Sequence, residues 1–246
     1  MDINQVCKKA LLMPIVCDKD YDGITLSNGF ILSGQKYYSS ADEDMSDFSI
    51  RFYEIVYRNL LGKLSIKALL SDAGFLCSNE LAGDTMNSFN TAANITAGAG
   101  KSSRLRTPED EWPDYLRMYK RNYHCLANFW LLPMEVGRTT RGGMNKAKKP
   151  INDYMDNFLE MVRLSVSFDE SERLYYRCFE DWDGFVDNHF IRGAYLTSGQ
   201  IEKYSNSGSE IFIAHALSRI EKRATEIAES KYAVELAELF MTLGIV

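Results

Sequence analysis

SEIFIAHALSRIEKRATEIAESKYAVELAELFMTL, residues 209–243, decides the fold class. Ile213, Leu217, Ile220, Ala224 and Ile227 recur at three- and four-residue steps. Because a helix turns once per 3.6 residues, that spacing puts them on one apolar stripe. Ser209 stands where an N-cap belongs. The pattern predicts one long C-terminal helix over 208–243, with Lys231 interrupting its seam. Such a helix packs on a body or pairs with a second copy.

Working back toward the N-terminus, the helical period persists. Asp47 caps a pattern carrying Phe48, Phe52, Ile55, Val56 and Leu60, broken at Gly62. A second short helix is expected over 64–70. Asp84 or Thr85 caps a third pattern with Met86, Phe89 and Ala93. Pro113 suits a first helical turn ahead of Tyr115, Met118, Tyr119 and Asn122. Asn152 or Asp153 opens a helix with Met155, Phe158, Leu159, Val162 and Val166 facing inward. Residues 170–191 read as one helix with Leu174, Cys178, Trp182, Phe185 and His189 on its stripe. The apolar run from Leu126 to Leu132, closed by Pro133, fits a buried strand or a continued helix equally well. Extended structure is expected over 10–38, where Ile24, Leu26, Phe30 and Leu32 alternate around Ser27-Asn28-Gly29, a hairpin signal.

The expectation is a mainly α fold, or α+β, in one domain spanning 1–246. It comprises an extended hairpin region over 1–45, a helical body over 46–207 holding a basic loop at 137–150, and the long C-terminal helix.

Composition narrows the class. Of 246 residues, 46% are hydrophobic and 25% charged, which excludes disordered and fibrous chains. A net charge of −6 argues against coating nucleic acid by bulk charge. The five cysteines (Cys7, Cys17, Cys77, Cys125 and Cys178) are odd in number, widely spaced and without a CxxC pair. That pattern predicts free thiols in a reducing, cytoplasmic compartment. No apolar run approaches the roughly 18 residues of a membrane span, so no membrane partner is expected. The stretch after Lys8-Lys9 is interrupted by Pro14 and lacks a small-x-small cleavage site, which argues against a signal peptide.

Positive charge is concentrated in the middle of the chain. From Lys101 to Lys149 there are 11 basic and 5 acidic residues, net +6, against 17 and 29, net −12, elsewhere. Between Glu135 and Lys149, Arg138, Arg141, Lys146, Lys148 and Lys149 face one acid, Glu135. Glycines 137, 142 and 143 leave backbone N–H groups open to an anion, and guanidinium groups fork onto phosphate oxygens. Arg138, Arg141, Asn145 and Lys146, together with Asn87, are candidate ligands for a phosphate-bearing small molecule or nucleic acid. Trp112, Tyr115, Tyr119 and Trp130, nearby in sequence, suit stacked bases or an ordinary core. Neither GxxxxGK[ST] nor GxGxxG occurs, and no cofactor is expected.

Other polar groups offer chemistry. Asp18 to Gly23 reads DxDxDG, the opening of a calcium loop, but Gly29 occupies the twelfth position where a bidentate Glu is needed. The expected reading is an acidic turn, and no metal site is expected. Asp84, Asn87 and Ser88 form a polar knot, read as a helix start or the lining of a polar pocket. His124, His189 and His215 lie on predicted helices or their ends, and no histidine stands four residues from another to make a metal pair. His189, among Asp183, Asp187 and Phe190, reads as a neutral or ion-paired helix histidine.

Three segments carry a resemblance: AGDTMNSF at 82–89, YHCLANFWLLP at 123–133, and Asp153-Tyr154-Met155 following Asn145-Lys146. Together they resemble a family of uncharacterised bacterial proteins, a domain of unknown function, over about 18–191. The resemblance implies a bacterial or phage origin and no particular reaction. LANFWLLP followed by Asn145 and Lys146 is also similar to the Asn-bearing half of HNH-type nucleases. That likeness implies His124 as general base and Asn128 as its companion, although Tyr123 replaces the acidic residue of the family's pair, and Asp84, from the polar knot, is a further candidate catalytic group. Arg117 and His124 resemble, by spacing, the ribonuclease motif of the HEPN superfamily. Three function classes follow: a binder of phosphate-bearing ligands, an HNH-like or HEPN-like nuclease, and an interaction module forming a homodimer through its last helix.

Overall fold

The computed structural model describes residues 2–18, 23–26, 31–33, 44, 46–66, 81–97, 108–133, 155–171, 174–204 and 207–245. Helices dominate them, with small antiparallel sheets, as the apolar periodicity predicts. Helix α1 (Ile3–Leu11) was not expected from the sequence. Asp2 caps it by accepting the Asn4 N–H at 3.0 Å, and Cys7, Ala10 and Leu11 enter the core. Strands β1 (Ile15–Asp18), β2 (Gly23–Leu26) and β3 (Ile31–Ser33) form an antiparallel sheet in which Ile24 pairs with Leu32. The Ser27-Asn28-Gly29 turn lies outside the described residues.

Helix α2 (Asp47–Val56) starts one residue earlier than expected, because the Ser46 hydroxyl accepts the Ser49 N–H at 3.2 Å. Helix α3 (Arg58–Lys63) runs through Gly62 and ends at Leu64. No helix forms over 64–66, where Ser65 has φ of 59°. The expected cap at Asp84 is corrected. Leu81–Thr85 is strand β4, and Asp84 accepts its neighbour's N–H, from Thr85, at 2.8 Å. Ser88 caps helix α4 (Phe89–Ala97) instead, accepting from Thr91 N. Helix α5 (Asp114–Asn122) follows Pro113 as expected. The ambiguous apolar run is a 3-10 turn (Leu126–Asn128) leading into strand β5 (Phe129–Pro133), all of it buried. β4 and β5 pair antiparallel, with Asp84 opposite Trp130 and Thr85 opposite Phe129.

Helix α6 (Met155–Ser165) buries Met155, Phe158, Leu159 and Val162. The single helix expected over 170–191 is two, α7 (Leu174–Arg177) and α8 (Trp182–Asn188). The chain breaks where Glu180 turns left-handed (φ 70°) and Asp181 restarts a helix by accepting Gly184 N at 2.7 Å. A short helix α9 (Arg192–Tyr195) leads into a small hairpin, β6 (Leu196–Thr197) and β7 (Gln200–Ile201), turned by Ser198 and Gly199 at φ of 52° and 78°. Two left-handed residues are what a two-residue hairpin turn demands. The long C-terminal helix is also divided, into α10 (Ser209–Ala228) and α11 (Ala233–Thr242). At the break the Ser230 hydroxyl donates to Ile227 O at 2.7 Å and accepts from Tyr232 N at 3.2 Å, closing a turn the apolar period does not reveal.

Helix α10 is the axis of the molecule. It touches α1, α4, α5, α9 and the 3-10 turn, while α11 packs on α1 and α2. Ile213, Ile220, Ala224 and Ile227 are buried there. Of the two outcomes expected for this stripe, packing on a body is the one seen, against helices of the same chain. Among the described residues no helix is long and apolar enough to cross a membrane.

Candidate functional site

Arg138, Arg141, Asn145 and Lys146 lie outside the described residues. Their segment connects two core elements: it leaves β5, where Leu132 is buried and Pro133 pairs with Leu81, and rejoins the body at buried Met155. The calcium-like stretch also falls mostly outside, over 19–22. Among the described residues no three His, Cys, Asp or Glu side chains group as a metal site.

The pairing of β4 with β5 brings Asn87 and Asn128 together, 41 residues apart in sequence. Asn128 Oδ1 accepts from the Asn87 backbone N–H at 3.0 Å and from Asn87 Nδ2 at 3.1 Å. Its Nδ2 donates to Asn87 O at 3.1 Å and Tyr123 O at 2.7 Å. An amide offers two donors and two lone pairs, so Asn128 is saturated. Asn87 Nδ2 donates also to Tyr195 Oη at 2.7 Å, and its Oδ1 accepts from Tyr204 at 3.1 Å. Both asparagines are buried. They lock the ribbon to α5, α9 and the segment after β7, and the HNH-like role expected for Asn128 has no free hydrogen-bonding group to serve it.

His124 lies beyond the end of α5, half-buried, its ring 3.9 Å from that of Tyr123 and edge-on to Phe129 at 5.7 Å. Arg117, its partner in the HEPN-like spacing, instead donates to Asp110 O at 2.5 Å and pairs with Asp114. Trp112 stacks on Phe89 at 5.6 Å under the Lys120 ammonium, whereas Tyr119 and Trp130 belong to the core. Burial pushes the Cys125 thiol up to about 12, so it stays protonated and unreactive at neutral pH.

The sequence reading missed the polar interior along α10. Arg219 and Arg223 are buried one turn apart on the apolar stripe. Arg219 lies 4.0 Å above the Tyr204 ring and pairs with Glu202 at 2.9 Å, while Asp156 Oδ2 accepts Tyr204 N at 2.9 Å. Arg223 donates from Nε to His189 O (2.8 Å), from Nη1 to Ala127 O (2.7 Å) and Phe129 O (2.8 Å), and from Nη2 to Tyr57 Oη (3.3 Å). Two arginines at i and i+4 inside an apolar stripe were a signal the sequence offered. His189 is neutral: burial, reinforced by the charge of Arg223, holds it well below the usual histidine value. A shallow groove of about 480 Å³ runs beside Arg58, Lys63, Cys178 and Asn188. Its cations already face carboxylates, Lys63 on Glu180 and Arg58 on Glu235.

No family model, curated protein or solved structure matches the chain. The fold defines a mainly α protein built around a hydrogen-bonded polar interior, with its densest positive charge on the connection between β5 and α6.

Proposed function

We propose that this protein binds a phosphate-bearing ligand, a nucleotide or nucleic acid, through Arg138, Arg141 and Lys146, with Asn145 beside them. The observation that carries the reading is charge placement: five cations to one acid between Glu135 and Lys149, in a chain of net −6. Elsewhere, cations such as Lys63, Lys120 and Arg192 sit against carboxylates, Glu180, Glu109 and the Asp183–Asp187 pair. The cations of the 135–149 segment outnumber any acid of their own, which leaves an excess for an anionic guest. The segment is flanked by buried residues, Leu132 before it and Met155 after it, and function concentrates on segments carried by a rigid scaffold. Asn87, expected among the ligands, is committed to the interior.

The test replaces Arg138, Arg141 and Lys146 together by Ala and measures binding to nucleotides, RNA and DNA by fluorescence anisotropy. A charge-assisted hydrogen bond contributes about 1.5–3 kcal/mol, so affinity should fall by more than about 100-fold with the fold unchanged. Unchanged binding, or no binding by the parent protein, removes the proposal.

A further inference from the structure

We propose that residues 180–190 form an acid-released segment, latched to the body by the ring of His189. Tyr175 Oη donates its single proton to Leu131 O at 2.9 Å. Its oxygen then only accepts from His189 Nε2, 2.9 Å away, so that nitrogen carries the hydrogen. The neutral ring leaves Nδ1 bare to accept from Tyr57 Oη at 3.0 Å. Tyr57 in turn accepts from Arg223 Nη2 at 3.3 Å. Every proton points one way, from Arg223 through Tyr57, His189 and Tyr175 to the carbonyl of β5. A second proton on His189 would face the Tyr57 oxygen, strip Tyr57 of its acceptor and place a cation beside buried Arg223.

The groups facing the ring support that reading. Among the described residues the titratable or charged ones are Tyr57 at the end of α2, Tyr175 on α7 and Arg223 on α10. β5 presents Trp130, and Phe179 and Phe185 close the cage with ring centroids 5.4 and 4.5 Å away. The acids of α8, Asp183 and Asp187, point instead to Arg192. No carboxylate in that set is placed to stabilise an imidazolium.

The segment is also held under tension. Glu180 at φ 70° and Phe190 at φ 55° flank α8, and a left-handed conformation is unfavourable for any residue with a Cβ, most of all a bulky one. Between them the fixed points include Phe185 and Val186 in the core, the His189 ring, the His189 carbonyl on Arg223, and the exposed pairs of Asp183 and Asp187 with Arg192. Loss of the ring hydrogen bonds frees a strained stretch bounded by two natural hinges.

Hydrogen exchange resolved by mass spectrometry, on the full chain between pH 7.5 and 5, tests this. A released His189 regains its ordinary value near 6.5, while the latched one stays unprotonated. After correction for intrinsic exchange, opening of 182–188 should therefore rise about tenfold per pH unit below about 6.5, ahead of global unfolding. His189→Gln keeps a donor and an acceptor but does not titrate, and should flatten that slope. An equal slope in the variant, or opening only with global unfolding, overturns the latch. Should the variant not fold, long-range 1H–15N spectra of the parent protein decide: a neutral Nε2–H ring at pH 6 is expected, and an Nδ1–H ring or an imidazolium in the folded state overturns the proposal.

Discussion

Asn128 shows what a polar residue in an apolar run does here. It satisfies four hydrogen-bonding groups across the β4–β5 corner, including the backbone N–H and carbonyl of Asn87. Asn128→Ala would leave the Asn87 N–H, one Asn87 Nδ2 hydrogen and the Tyr123 carbonyl without these partners, while Asn87 O keeps Tyr119, and each such loss costs about 1–3 kcal/mol. We expect about 3–5 kcal/mol lower stability in urea denaturation, and a loss below about 1 kcal/mol would contradict the lock. Arg223→Ala should cost about as much, because the carbonyls of His189, Ala127 and Phe129 lose their donor together. At this scale the sequence was partly legible. Asn87, Asn128 and His189 stand out by type, and of the two states expected for His189, neutral or ion-paired, its surroundings favour the neutral one. Their partners were not legible, since Asn87 meets Tyr195 and Tyr204 over 108 and 117 residues of chain. A short polar side chain looks the same in a sequence whether it awaits a ligand or joins two segments.

Elements were legible wherever one apolar stripe met one set of neighbours. Helices α2 and α6 fall where the three-four spacing puts them, because their buried faces repeat without interruption, whereas α5 forms after Pro113 but buries Leu116 with Tyr119 and exposes Met118 and Asn122 of the expected stripe. Two of the misses share a cause: the period of 3.6 continues across a break when both pieces bury the same side. The run over 170–191 and the C-terminal run were read as single helices for that reason, and local turns at Glu180 and Ser230 divide them. Gly184 is required at the first of these turns, since a Cβ there would stand 2.0 Å from Phe179 O. Gly184→Ala should therefore destabilise by about 1–3 kcal/mol, despite the higher helix propensity of Ala. A chemical denaturation midpoint equal to or above that of the parent would show that the α7–α8 turn is looser than described. Helix α1 escaped notice because Lys8 and Lys9 masked a stripe of only Cys7, Ala10 and Leu11.

At the scale of the whole molecule, the first part of the C-terminal helical run, α10, is the central post of the body. Charge is divided differently, with net −12 outside 101–149 and net +6 within it. An acidic body repels polyanions, so the proposed attraction would be confined to the basic segment and be sensitive to ionic strength. That division was fully legible in the sequence, because charge needs no fold to be counted. The most direct measurement is the affinity of the parent protein for a fluorescent single-stranded oligonucleotide and a labelled nucleotide, titrated from about 20 to 300 mM salt. Three phosphate contacts by Arg138, Arg141 and Lys146 predict that the logarithm of the oligonucleotide affinity falls linearly with the logarithm of salt, with slope about −2. No binding of either probe at the lowest salt, or a slope unaltered when those three side chains are removed, would contradict the account.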